Sequence, residues 1–309
     1  MNETSYKAVW DRRSGSESDA LNAVDNSASE EVVRATGAWS AAQLRAGLEI
    51  VPSDTILELG CGAGRIGREL AGDCAEYVGV DISPNMIEVA TRRLEDFDNA
   101  RLEVLDRTSL EAIDSASVDK VFTIAVFCHM DKEDLFLYMR EIRRVLKPGG
   151  LAYLETWNLA DPVGWQRWLA EADHWAGSDQ SQRKDVSRNQ FCVPEEFTLY
   201  TDRAGLQPLV CFRDSPWIQI IAGKDLDARA IETERNRIAE RRGEIAYSPQ
   251  FGRLFLDSMK IIYGQLHPRD ALDRLEALPD QPEKKVFRTY FRGLWQAQQD
   301  RFGPLPNQD

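Results

Sequence analysis

Two periods of apolar spacing run through the middle of the chain. Short apolar runs at 55–59, 77–81, 101–105, 118–124 and 150–157 read as strands, and the stretches 64–72, 84–95 and 132–146 between them carry the three- and four-residue spacing of helices. Alternation of this kind predicts an α/β fold, a parallel sheet with helices on both faces. Pro84 suits the first helical turn after the second strand, because its missing N–H has no partner there. A short helix opened by Pro194-Glu195-Glu196 and two strands, 207–213 and 217–222, split by Ser215-Pro216, close the pattern near Lys224.

The flanks are read from the same spacing. Ser18 to Thr36 and Trp39 to Leu48 predict helices, with breaks at Asn26-Ser27 and Gly37, so residues 1–50 form an N-terminal helical lid. Residues 158–190 interrupt the sheet pattern with Trp165, Trp168 and Trp175 and a polar stretch from Gly177 to Asn189. Within 225–309, Glu232 to Glu244 is charged throughout and predicts a solvated helix. It is followed by two apolar stripes, Phe251, Leu254, Phe255, Met259, Ile262, Leu266 and Phe287, Tyr290, Phe291, Leu294, Trp295, Phe302. Stripes this wide must be buried. A helical cap on the same chain and a homodimer interface are the two ways to do it.

The densest chemical signal is Ile56-Leu-Glu58-Leu-Gly60-Cys-Gly62-Ala-Gly64, a strand running into a glycine turn that opens a helix at Arg65. Glycines let the backbone turn sharply and a ligand approach where a Cβ would collide. Asp81 ends the second strand, where a carboxylate grips a ribose diol. The pair predicts an adenosine-containing cofactor over the first two strands. Gly62-Ala-Gly64-Arg-Ile-Gly67 also fits the G-x-G-x-x-G pattern of dinucleotide enzymes, so a nicotinamide oxidoreductase is a rival reading.

Three further features weigh against a nicotinamide: the glycine run begins at Glu58-x-Gly60, the third strand ends in Asp106, and Val145-Leu-Lys-Pro-Gly-Gly150 precedes another strand. The series resembles the class I S-adenosylmethionine (SAM)-dependent methyltransferases, in particular their small-molecule, methyltransferase type 11-like branch. The resemblance covers residues 50–224 and implies a doubly wound, seven-stranded mixed sheet (a Rossmann-like methyltransferase fold) over 51–224, with 158–190 as an insertion. It implies SAM as cofactor, with Gly60, Gly62 and Gly64 under its methionine part, Asp81 on the ribose, Ile82 and Met86 on the adenine face, and Asp106 with the Arg107 N–H at the adenine edge. The Ala125 carbonyl would accept from the cofactor's ammonium, and Arg65 would meet its carboxylate. An aminopropyl transferase on the same fold and a non-catalytic SAM-binding regulator are the remaining rivals.

Composition narrows the partner. The chain has 309 residues, 29% of them charged, and a formal net charge of −13. A nucleic-acid binder must neutralise phosphates with clustered Lys and Arg. The one such cluster, Arg235 to Arg242, is interleaved with glutamates, so neither nucleic acid nor an anionic membrane is expected. Five scattered cysteines without a C-x-x-C pair predict neither a disulfide framework nor a metal site. No apolar leader or membrane span is evident, and a cytoplasmic protein acting on a small molecule is expected.

The acceptor is expected at the carboxyl ends of the fourth and fifth strands. Glu155, Trp157 and Asn158 end the fifth strand and are the predicted substrate contacts, with Tyr6 and Trp10 folding over the site from the N-terminus. His129, after the fourth strand, is the candidate base. Eight tryptophans and only three histidines favour a thioether or amine nucleophile, as in S-methylation of a methionine-like amino acid, since aromatic faces stabilise the cation formed and a thioether has no proton to lose. O-methylation of a sugar or natural-product hydroxyl is the alternative, and it needs a base.

Overall fold

The computed structural model describes residues 6–179 and 189–306. The polar end of the Trp-rich segment, 180–188, lies outside the described residues. The sheet strands are β1 (Thr55–Leu59), β2 (Glu76–Asp81), β3 (Ala100–Val104), β4 (Val118–Thr123), β5 (Leu146–Asn158), β6 (Phe191–Cys192), β7 (Gln207–Phe212) and β8 (Trp217–Gly223). Their order is β3-β2-β1-β4-β5-β8-β7. The first five run parallel, while β8 and β7 are antiparallel at the edge.

The expected seven strands are present, and β6 is an eighth. Trp157 pairs with Trp217 of β8 on one side and with Phe191 of β6 on the other. Because β4 stops at Thr123 opposite Leu154, β6 occupies the space beyond its end. Two residues give no periodic signal, which is why the pattern missed it. The expected turn at Lys147–Gly150 is drawn into β5 as a register shift, with the Gly149 N–H donating to the Lys224 carbonyl (2.7 Å).

Alternation along the strands divides the core. Leu57, Val78, Val121 and Leu154 face α6 (Lys132–Val145) and α8 (Pro194–Arg203), whereas Ile56, Tyr77, Phe122 and Tyr153 face α3 (Glu30–Leu48). The N-terminus adds α1 (Tyr6–Arg13) and α2 (Glu17–Asp25), and the Trp-rich segment after β5 adds α7 (Pro162–His174). The helix α3 runs unbroken through Gly37, against expectation. A Cβ at Gly37 would lie 2.4 Å from the Arg65 carbonyl oxygen, so this glycine serves the close approach of α3 to the glycine loop. Helix propensity favours Gly37→Ala by about 1 kcal/mol, and a steric clash with backbone costs about 1–3 kcal/mol. We expect the clash to win, with Gly37→Ala losing about 1–2 kcal/mol in urea unfolding. A gain in stability would show that the loop can retreat.

The helix after the glycine loop is also shorter than its spacing implied. Residues 61–66 are turns and α4 covers only Gly67–Leu70, because Gly60, Gly62 and Gly64 all adopt left-handed backbone. The second helix lies where expected, as α5 (Pro84–Arg93), with Ser83 Oγ accepting from the Met86 N–H at 3.2 Å and Pro84 in the first turn.

Beyond β8 come α9 (Ala228–Glu240), α10 (Arg242–Ile245), α11 (Phe251–Ile262), α12 (Pro268–Glu276), α13 (Pro282–Ala297) and α14 (Gln299–Phe302). The helix α9 is not merely solvated. Ile238 is buried and Arg237 donates to the Ala46 and Gly47 carbonyls at the end of α3. Both apolar stripes close on this same chain: Phe251, Leu254, Phe287, Phe291 and Trp295 are buried in one cluster with Trp157 and Trp217. Among the described residues, no helix is long and apolar enough to cross a membrane.

Candidate functional site

A cavity of about 480 Å³ opens where β1, β2, β4 and β5 end. In an open α/β sheet this is where the neighbouring helices diverge and a ligand finds room. Its wall includes the predicted residues Tyr6, Trp10, Glu58, Gly60, Gly62, Arg65, Asp81, Ile82, Met86, Ala125, His129, Glu155 and Trp157. Four predicted residues lie outside the wall: Gly64, Asp106, Arg107 and Asn158.

At one end the glycine loop is pinned across two strands. Gly60 and Cys61 N–H groups both donate to the Val80 carbonyl (2.8 and 3.0 Å). Asp81 accepts from Gly62 N–H through Oδ2 and from Ser83 N–H through Oδ1, each at 2.9 Å. Each carboxylate oxygen keeps a lone pair for a hydroxyl donor. Gly60 has φ +75°, and a Cβ there would sit 2.4 Å from Val126 Cγ2, so a side chain is excluded twice over. Burial pushes the Asp81 carboxyl above its ordinary range, with the N–H groups of Ser83 and Gly62 opposing. Glu58 is buried below the loop with the Tyr77 hydroxyl donating to it, and burial raises its pKa to about 8.

At the other end stands an aromatic chamber that the spacing only hinted at. Trp157 stacks on Trp217 (4.4 Å between centroids) and Tyr247 on Phe251 (4.0 Å), with Trp39, Phe255 and Phe287 beside them. The stripe residues Phe251, Phe255, Met259, Phe287 and Tyr290 thus line the cavity as well as the core. Tyr247 carried no sequence signal at all. It lies just before α11 and its hydroxyl donates to Glu155 Oε2 at 2.7 Å. Glu155 is buried, and burial raises its pKa to about 7 against the opposing Tyr247 hydrogen bond, the Arg65 charge and the Ala125 N–H. Ala125 holds a left-handed φ of 57°, unusual for a residue with a Cβ and of the kind found at ligand sites.

His129 is placed at the cavity as a neutral imidazole weakened as a base. Burial lowers its pKa to about 4, its Nδ1 is buried without a partner, and its ring lies edge-on to Trp10 at 5.0 Å. Tyr6 anchors α1 across the cavity mouth by donating to Asp134 (2.7 Å) and accepting from the Asp131 N–H (3.0 Å). The Asn158 amide is spent on structure: it donates to the Arg213 and Ser215 carbonyls and accepts from the Ala160 N–H. Asp106 is exposed beyond β3, which ends at Val104, and Arg107 pairs with Glu111; Leu105 lines the cavity instead.

The match to known proteins follows the same boundary. Residues 56–150 match the family model described as a methyltransferase domain. The chain is 27% identical over 196 residues to a ubiquinone biosynthesis O-methyltransferase of Cereibacter sphaeroides, covering 59% of this chain and 73% of that protein. It is 33% identical over 111 residues to a 2-methyl-6-phytyl-1,4-hydroquinone methyltransferase of Synechocystis, covering 36% and 34%. Among solved structures, the N-methyltransferase NodS of Bradyrhizobium japonicum in complex with S-adenosyl-L-homocysteine (SAH) aligns with a TM-score of 0.51 at 15% identity, over 73% of this chain and all of that one. A Haloferax volcanii putative methyltransferase complex with the Trm112 activator gives a TM-score of 0.51 at 17% identity, covering 70% and 98%. At that identity these two speak to the fold.

Proposed function

From the premise that this chain is a class I SAM-dependent methyltransferase of small molecules, we propose that its acceptor is a hydroxyl on a flat aromatic molecule. The observation that carries the reading is Glu155, a buried carboxylate in the wall of an aromatic chamber, hydrogen-bonded by Tyr247. The names of the relatives support its two parts separately: the first is an O-methyltransferase, and the other is a methyltransferase named for a hydroquinone, a flat aromatic ring. The thioether favoured by the tryptophan count loses ground: a proton-free nucleophile has no use for a carboxylate with a pKa near 7.

The residues present fit the cofactor, with a loop cleared of side chains at Gly60 and a carboxylate with spare lone pairs at Asp81. When bound, SAM supplies an electrophilic methyl group on a sulfonium, which is already a strong leaving group. Gly60 and Gly62 would hold the methionine part, Asp81 the ribose, and Ile82 and Met86 the adenine face. Glu155 would accept the acceptor's hydroxyl proton and end as the neutral acid, freeing the oxygen to take the methyl group as its bond to the sulfonium sulfur breaks and leaves a neutral thioether. Tyr247 steadies the carboxylate form of Glu155 before that transfer. His129 is the weaker proton acceptor, with its pKa near 4 against about 7. Its replacement by Ala should cost less than about tenfold in kcat/KM.

Trp157, Trp217, Phe251 and Phe255 orient the ring and keep out water, which places the nucleophile and strengthens the local electrostatics. Phe255→Ala should raise KM for the acceptor about two- to tenfold, the worth of one aromatic contact, and leave SAH affinity unchanged. The function is tested by measuring SAH release over a panel of phenols, hydroquinones, sugars, amines and methionine analogues. We expect turnover on the planar hydroxyl compounds. Turnover confined to methionine analogues or amines would sink the proposal.

A further inference from the structure

Asp25 is the last residue of α2 and carries the least satisfied carboxylate in the cavity wall. Its side chain is only 7% exposed. Oδ1 is used locally, accepting from the Ser27 N–H (3.1 Å) and hydroxyl (2.7 Å). Among the described residues Oδ2 is buried with no hydrogen-bond partner, a costly state for a carboxylate oxygen unless something supplies a donor. The same helix lies over the glycine loop: a Cβ built on Gly62 would come within 3.2 Å of Val24 Cγ1, the residue beside Asp25.

The charges facing this oxygen are unequal. Arg93 feels Asp25 but is committed to Glu30 through two hydrogen bonds. Arg65 also lines the cavity and also feels Asp25, yet its hydrogen bond goes to Ser40 Oγ at 3.2 Å. Among the described residues, Arg65 forms no ion pair. Asp81 and Glu58 also line the wall beside the glycine loop, but both are hydrogen-bonded within the fold. Asp25 and Arg65 add a carboxylate and a guanidinium there that are not joined to each other. That arrangement is complementary to a zwitterion, an ammonium and a carboxylate on neighbouring atoms. The free amino-acid end of SAM or SAH has this form. The negative end of the α2 dipole adds to the attraction for a cation at Asp25.

We propose that Asp25 is a binding residue for the α-ammonium of the cofactor, with Arg65 taking its α-carboxylate. The assignment rests on the reading of the cavity as a SAM site and adds a side-chain ligand from the N-terminal helices. Burial pushes the Asp25 carboxyl above its ordinary range, and a bound ammonium removes that penalty.

The test compares two ligands by calorimetry, SAH and 5′-methylthioadenosine, which shares the nucleoside and thioether but lacks the amino acid. Asp25→Asn retains the oxygen that Ser27 uses and removes the charge. It should weaken SAH about ten- to a hundredfold and leave 5′-methylthioadenosine within about twofold of wild type. Ser27→Ala, which loosens the same loop without touching the charge, should leave the ratio of the two affinities unchanged. Equal losses for both ligands in Asp25→Asn would mean a structural role and overturn the assignment, as would undiminished SAH binding. Wild-type protein that binds neither ligand would instead overturn the cofactor site itself, and this residue's role with it.

Discussion

Replacing Asp81 with Ala should lower the affinity for SAH by about tenfold to over a hundredfold, the largest effect expected of any single change at the nucleoside end. A carboxylate that accepts two ribose hydroxyls makes hydrogen bonds worth about 1.5–3 kcal/mol in total when its charge is lost. The structure adds a second cause. Asp81 also accepts from the Gly62 and Ser83 N–H groups, so its removal frees the glycine loop from the tip of β2. Asp81→Asn separates the two, because one amide oxygen can still hold one of the N–H groups. Calorimetry with SAH reads both variants, and the Asn variant should bind between wild type and Ala. An unchanged dissociation constant for Asp81→Ala would remove this residue from the site.

Glu155→Gln should cut kcat/KM on a hydroxyl acceptor by about 10²–10⁴ while leaving SAH affinity intact, since the residue lies at the chamber end of the cavity. The pH profile carries the same information. The Glu155 carboxyl, raised to about 7 by burial, is protonated and inactive below that value, so wild-type kcat/KM should rise through about pH 7 and level off above it. The Tyr247 hydroxyl stabilises the charged form, so Tyr247→Phe should move that limb to higher pH. His129 cannot produce a limb there, because its own pKa is depressed to about 4. A flat profile in wild type, with full activity in Glu155→Gln, would return the thioether acceptor to first place.

The spacing of apolar residues was enough to locate seven of the eight strands, since each strand of a buried sheet needs a continuous run that can meet helices on both faces. The glycine-loop end of the cavity was legible for a related reason. Glu58, Gly60, Gly62 and Asp81 are brought together by one strand-turn-helix-strand unit, and β1 and β2 are neighbours in the sheet, so sequence order and spatial order coincide. Even here the spacing and the structure part at the third strand, because β3 ends at Val104 and Leu105 rather than Asp106 lines the cavity.

The aromatic chamber obeys no such local rule. Its wall gathers Trp39 from α3, Trp157 from β5, Trp217 from β8, Tyr247 from the loop after α10, and Phe251 and Phe287 from α11 and α13. Apolar helical spacing says that a face must be buried but not against what, so the stripes could not be told from ordinary core. The roles of polar groups were equally hidden. Asn158 and Glu155 look alike as polar residues ending a strand, yet one turns its amide to the backbone of the β7–β8 turn and the other keeps a carboxylate in the cavity beside Tyr247. Asp25, unremarkable in a polar helix, became a buried carboxylate only when α2 was laid over the glycine loop. The sequence by itself determined the sheet, the glycine loop and the placing of Asp81 beside it, because these depend on neighbours in the chain. Only the tertiary structure decided which aromatic rings and which acids share the cavity, because burial and pKa are set by atoms far away along the chain.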